Sequence, residues 1–167
     1  KYMSGMFLGC SMSNINISHL NTSNVISMRY LFYGCKNLNN IDFSSLNTSS
    51  LENMGGMFYD CTGLERVTFG NNFNTSKVTN LFYLFGNCEK LSSIDLSMFN
   101  VSEVTNMESM FSDCKVLPSI NLSNFNSSLL TKTENDYEEV CRYTASCSIH
   151  SGCKCSVWKG NTLWGGQ

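Results

Sequence analysis

Nine cysteines and two histidines are the residues of this 167-residue chain whose types reach beyond packing chemistry. Four cysteines crowd together late in the chain, Cys141, Cys147, Cys153 and Cys155, with His150 among them. Thiolates and an imidazole suit zinc, but the spacing C-x5-C-x5-C-x-C lacks the C-x2-C pair typical of such sites. Two disulfides are the expectation instead. Cys153 and Cys155 are poor partners for each other. That leaves Cys141–Cys153 with Cys147–Cys155, or Cys141–Cys155 with Cys147–Cys153. The other five thiols, Cys10, Cys35, Cys61, Cys88 and Cys114, recur at near-constant spacing beside apolar neighbours, as small buried hydrophobes do. A thiol nucleophile needs a histidine base. His19 falls in a turn after the first expected strand and His150 among the expected staples, so no Cys–His pair is indicated. No phosphate-binding glycine loop, calcium loop or paired-carboxylate motif is present. The expectation is no catalytic residue, no metal and no cofactor.

Seven Asn-x-Ser/Thr sequons stand at Asn16, Asn21, Asn47, Asn74, Asn100, Asn121 and Asn126. Each is a candidate N-glycosylation site in a eukaryotic secretory context. Five of them, Asn21, Asn47, Asn74, Asn100 and Asn126, share one repeat column. That regularity favours a ladder of side chains bonding turn backbone. Asn16 and Asn121 occupy outward strand positions and are the better glycan candidates.

The elements that hold these residues repeat. The five cysteines lie 25, 26, 27 and 26 residues apart. Before each stands an apolar block: Met3-x-x-Met6-Phe7, Met28-x-x-Leu31-Phe32, Met54-x-x-Met57-Phe58, Leu81-x-x-Leu84-Phe85, Met107-x-x-Met110-Phe111. Apolar residues at i, i+3 and i+4 mark one helical face. Ser27, Asn53, Asn80 and Asn106 precede four of the blocks and are good helix N-caps. Gly9, Gly34, Asp60, Asn87 and Asp113 precede the cysteines and tolerate positive φ, as a residue ending a short helix does. Alternating segments such as Ile94-Asp95-Leu96 read as half-buried strands, centred near Asn16, Asp42, Thr68, Asp95 and Asn121. One residue is missing near 11–12 and one is extra near 70–72, both to be absorbed in turns.

The expected fold is therefore an α/β repeat solenoid, leucine-rich-repeat-like. It has five stacked rungs with one parallel sheet and short helices over 1–130. Residues 131–167 are expected to form an acidic linker and a small disulfide-stapled C-terminal cap. The run Cys-x-x-Leu-x-x-Ile-Asp-Leu-Ser-x-Phe-Asn-x-Ser-x-Val-Thr-Asn-Met-x-x-Met-Phe resembles the BspA-like surface-protein repeat, a leucine-rich-repeat relative of bacterial surface proteins, lipoproteins and some protist proteins. The likeness covers residues 3 to about 130. It implies a surface-exposed, non-enzymatic protein, often linked to adhesion, and supplies no catalytic residues.

Charged residues make up 14% of the chain and the net charge is −2, with no basic run to attract nucleic acid or an anionic membrane. No apolar stretch approaches a membrane span of about 20 residues. The expected function is a non-enzymatic extracellular or cell-surface structural or adhesion protein, with a receptor-like module binding protein or glycan on the sheet face as the alternative. The first block has no evident polar cap, so a head-to-tail joint between copies is expected from Met3, Met6 and Phe7 on one side and Tyr143, Trp158 and Trp164 on the other. The partners would be the chain itself, or another surface or matrix protein or glycan.

Overall fold

In a computed structural model, residues 1–118, 120–122, 124–125, 158–159 and 162–163 are described. The apolar blocks do not form helices; each is a run of overlapping β-turns. In the first, the N–H groups of Met6, Leu8 and Cys10 donate to the carbonyls of Met3, Gly5 and Phe7, three residues back. Gly5 and Gly9, at the third position of the first and last of these turns, have φ of 65° and 67°, the mark of a type II turn. The same three bonds recur in every block, and so do the positive φ values, at Tyr30 and Gly34, Gly56 and Asp60, Tyr83 and Asn87, Ser109 and Asp113.

The N–H groups that the turns leave over point along the stack. Met28, Tyr30, Phe32 and Gly34 donate to the carbonyls of Asn53, Gly55, Met57 and Tyr59 in the next repeat, at 2.8–3.0 Å. The equivalent four bonds join each successive pair of blocks from 3–10 to 107–114. One further N–H at the start of the block is taken by a side chain. Asn53, Asn80 and Asn106 accept through Oδ1 from the backbone of Gly55, Phe82 and Glu108 at 2.9–3.0 Å. The polar residues read as helix N-caps thus cap turns. A left-handed residue two positions into each block interrupts any helix, and the neighbouring repeat satisfies the backbone donors a helix would have used internally.

The expected five-stranded sheet shrinks. The strand β1 (Asn40–Asp42) pairs in parallel with β2 (Arg66–Thr68), Ile41 opposite Val67. Asn14 adds a single parallel bridge to Asn40. Residues 92–97 form no strand, and Ile94 is only half-buried. The interruption follows the repeat that carries the extra residue near 70–72. A second parallel ladder, not foreseen, runs just ahead of the turn blocks through Tyr2, Ser27, Asn53, Asn80 and Asn106. Near the end of the chain, β3 (Trp158–Lys159) pairs antiparallel with β4 (Thr162–Leu163). The α/β leucine-rich-repeat-like solenoid is therefore corrected: the described residues hold no helix and only short strands. The division at residue 130 falls in residues outside those described, as do Cys141, Cys147, Cys153 and Cys155 of the expected stapled cap. Among the described residues the cysteines are free thiols.

Burial follows the stacking. Phe7, Phe32, Phe58, Phe85 and Phe111 form one column of near-parallel rings, with centroids 5.2–5.7 Å apart and interplanar angles of 3–10°. Offset and stacked ring pairs add to what area burial alone supplies. Beside them the Cys35, Cys61, Cys88 and Cys114 thiols donate to the carbonyls of Phe7, Phe32, Phe58 and Phe85 at 2.9–3.2 Å.

Burial pushes the Cys114 thiol up to about 12, Asp113 adding to the effect, and pushes Cys88 well above the ordinary thiol value of 9.0. The unfolded chain ionises these groups first. Their contribution to stability is therefore fully present below pH 9.0 and is lost as pH rises from there toward about 12. The urea midpoint is expected to hold level through neutral pH and fall through this alkaline window, less steeply in Cys114→Ala. A midpoint that does not fall at a pH of about 11 would show that the thiols are not shielded.

Candidate binding surface

The outer side of the turn blocks carries an aromatic array. At the third block position repeats two to four have Tyr30, Gly56 and Tyr83; at the sixth they have Tyr33, Tyr59 and Gly86. Stacking brings the two columns together. Tyr30 lies 5.7 Å from Tyr33, Tyr33 stacks on Tyr59 at 5.4 Å, Tyr59 meets Tyr83 at 5.0 Å, and Phe82 abuts Tyr83 at 4.5 Å. All five side chains are half-buried.

Two glycines make room for the rings. A Cβ on Gly56 would lie 2.2 Å from Tyr30 Cε1, and one on Gly86 would lie 2.6 Å from Tyr83 Cδ1 and 3.0 Å from Tyr59 Cδ2. Tyr30 and Tyr83 themselves sit at φ 56° and 50°. Their equivalents are Gly5, Gly56 and Ser109. A bulky side chain in the left-handed region costs roughly 1–2 kcal/mol, so the array is held against local conformational preference.

The charges around it are graded. Arg29 caps one end, its guanidinium carbon 4.7 Å from the Tyr30 ring centroid and Nη2 donating to the Tyr30 hydroxyl at 3.2 Å. Asp60 is engaged twice, by Lys36 at 3.4 Å and by Asn87 Nδ2 at 2.6 Å. Asp113, two repeats further in the same column, is exposed and has no ion-pair partner among the described residues. Burial holds the pKa of the Tyr59 phenol above its ordinary value, and Tyr83, Tyr33, Asp60 and Asp113 raise it further. Tyr59 therefore stays a neutral hydroxyl at physiological pH, able to donate and accept. Ring faces, ring edges and hydroxyls of this kind suit recognition.

Other surfaces offer less. A shallow groove of about 370 Å³ beside β1 is lined by polar groups such as Asn40, Asp42 and Ser44 together with Ile15, Ile17 and Ile41. The sheet face on which a receptor reading rested is only the β1–β2 pair and one bridge, so that reading is withdrawn together with the structural and adhesion reading built on a five-rung architecture. Among the described residues no cluster of three His, Cys, Asp or Glu side chains could hold a metal ion, and no helix is long and apolar enough to cross a membrane.

The residues singled out from sequence are dispersed. Asn16, Asn21, Asn47, Asn74, Asn100 and Asn121 are exposed, while Asn126 lies outside the described residues. Asn16, Asn21, Asn47, Asn74 and Asn100 accept through Oδ1 from the backbone N–H two residues on, which leaves the glycan-bearing nitrogen out of those bonds. Of the expected joint, Met3 is buried, Met6 is exposed and Phe7 is half-buried against Phe32. Tyr143 and Trp164 lie outside the described residues, and Trp158 belongs to β3. The tyrosine array was not foreseen. Its signal was four tyrosines at non-core block positions in three consecutive repeats, divided between two columns that only the stacked register makes neighbours.

No curated protein matches the chain. A solved structure of a leucine-rich repeat protein from Eubacterium ventriosum ATCC 27560 is 21% identical over 66% of this chain, with a TM-score of 0.45. The match spans 27% of that longer protein, and likeness at this level carries no argument about fold. The BspA-like resemblance is corrected on the geometry, because the repeats lack the strand-and-helix rungs that it implies. A family model matches residues 1–68 and again 69–150, nearly the whole sequence, and the chain belongs to that family, described as Mycoplasma protein of unknown function, DUF285.

Proposed function

We propose that this protein is a non-catalytic recognition module that binds a protein segment on the array of Tyr30, Tyr33, Tyr59 and Tyr83. The observation that carries the reading is the contiguity of these rings over three repeats, two of them at a backbone conformation their equivalents fill with glycine or serine. Tyrosine is enriched where protein interfaces concentrate their binding energy. Strained backbone at a surface cluster fits a site whose geometry matters more than its stability. A location at the cell surface or outside the cell is proposed separately from the array, and protease treatment of intact cells tests it.

The binding test uses an array of random peptides probed with the wild-type chain and with a Tyr33→Ser/Tyr59→Ser variant. These two rings are half-buried and lie outside the phenylalanine column, so the variant is expected to keep the wild-type circular dichroism spectrum. Peptides selected by the wild type should lose at least about tenfold in affinity, as expected when interface anchors are removed. Equal binding by both chains would overturn the proposal.

A further inference from the structure

The geometry points to a modification site within the array: Tyr59 and Tyr83 are placed to be joined by an oxidative carbon–carbon cross-link that ties the third repeat to the fourth. They are the closest pair of tyrosines in the array, with ring centroids 5.0 Å apart and planes inclined at 56°. Gly86 brings two particular ring edges together. A Cβ there would lie 2.6 Å from Tyr83 Cδ1 and 3.0 Å from Tyr59 Cδ2, so both edges converge over one bare backbone position. Phenoxyl radicals couple at the ring carbons next to the one that bears the oxygen. On these edges those carbons are Tyr83 Cε1 and Tyr59 Cε2, each bonded to the Cδ atom just named. Both side chains are half-buried, which leaves them within reach of an oxidant. The competing thiols of Cys35, Cys61, Cys88 and Cys114 are fully buried, and thiol oxidation follows exposure. The co-reactant is a one-electron oxidant of the haem-peroxidase class working with hydrogen peroxide. Each phenol gives one electron to the oxidised haem and one proton to water. The two radicals form the bond between Cε1 and Cε2, and the hydrogens displaced from those carbons pass to the phenol oxygens as the rings regain aromaticity. Two phenols and one peroxide thus yield one dityrosine and two waters. Groups held together in a fixed geometry react far faster than the same groups meeting by diffusion, so the cross-link forms within one chain.

The test treats the dilute full chain with a haem peroxidase and limiting hydrogen peroxide. It reads dityrosine fluorescence, gel mobility and the masses of proteolytic fragments. The expected product is a monomer lighter by two hydrogens, with Tyr59 and Tyr83 in one cross-linked fragment. Its urea midpoint should rise, because the tie constrains the unfolded chain as a disulfide does. Tyr83→Phe keeps the ring and removes the phenol, and dityrosine fluorescence should fall at least about tenfold. Gly86→Ala keeps every tyrosine and forces the two edges apart, and the yield should fall at least about threefold. Should Gly86→Ala lose the wild-type circular dichroism spectrum, Tyr83→Phe carries the test alone. Tyr2→Phe, which removes an exposed tyrosine outside the array, should leave the yield unchanged. A cross-link that maps to Tyr33 and Tyr59 instead, or a yield that Tyr83→Phe leaves intact, would overturn the placement. Dityrosine found only in covalent dimers would overturn it as well.

Discussion

Phe58→Ala is expected to remove about 3–5 kcal/mol of folding free energy, the largest loss from any single truncation in the stack. Phe58 is fully buried and stacked between Phe32 and Phe85, and Phe43 meets its edge at 5.7 Å. Truncation leaves a void flanked by rings that cannot close on it, because the inter-repeat hydrogen bonds on both sides fix the repeat spacing. Phe58→Leu, which keeps most of the volume, should cost distinctly less. Urea denaturation followed by near-ultraviolet circular dichroism reads both. A loss below about 1 kcal/mol for the alanine variant would mean that the column is not closely packed.

The second large effect concerns a hydroxyl. Thr75 is buried; its Oγ1 donates to the Asn100 carbonyl at 2.9 Å and accepts from the Asn100 N–H at 2.8 Å. Thr48 makes the same pair of bonds with Asn74. Thr75→Val keeps the shape and removes both bonds, leaving a part-buried carbonyl and N–H without those partners. The expected loss is about 1–3 kcal/mol, although valine is the more hydrophobic residue. Val101, the equivalent residue of the next repeat, is also buried, so valine fits the position sterically. Equal urea midpoints for Thr75→Val and wild type would refute a structural role for the hydroxyl.

The columns of methionine, leucine and phenylalanine legible in the sequence are largely buried positions, from Met28 and Phe32 to Met110 and Phe111. What they could not specify was the backbone between them. Apolar residues at i, i+3 and i+4 fall on one face of a helix, and they fall equally on one side of three overlapping β-turns. The deciding residues were in plain view at the third block position, Gly5, Tyr30, Gly56, Tyr83 and Ser109, but a tyrosine there gives no hint of positive φ. Asparagine at Asn53, Asn80 and Asn106 signals a backbone N–H to be capped two residues on, and that need exists at the start of a turn as much as of a helix. The alternating segments failed as strands where pairing did: 40–42 and 66–68 found each other, whereas 92–97 has the same pattern and forms no strand. The array escaped notice because Tyr30 and Tyr83 belong to one column and Tyr33 and Tyr59 to another, and neither column is continuously aromatic.

The four backbone bonds that join each block to the next all run in one direction, from the N–H groups of the earlier repeat to the carbonyls of the later one. Each block therefore presents a donor edge and an acceptor edge that are never interchangeable. A duplicated or excised stretch of one whole repeat would meet its new neighbours with the same donors, acceptors, ring and thiol in place. A stretch of any other length would misplace all of them together. Length in such a protein changes in quanta of one repeat, and single-residue insertions survive only in the connecting loops, where residues 70–72 already hold one.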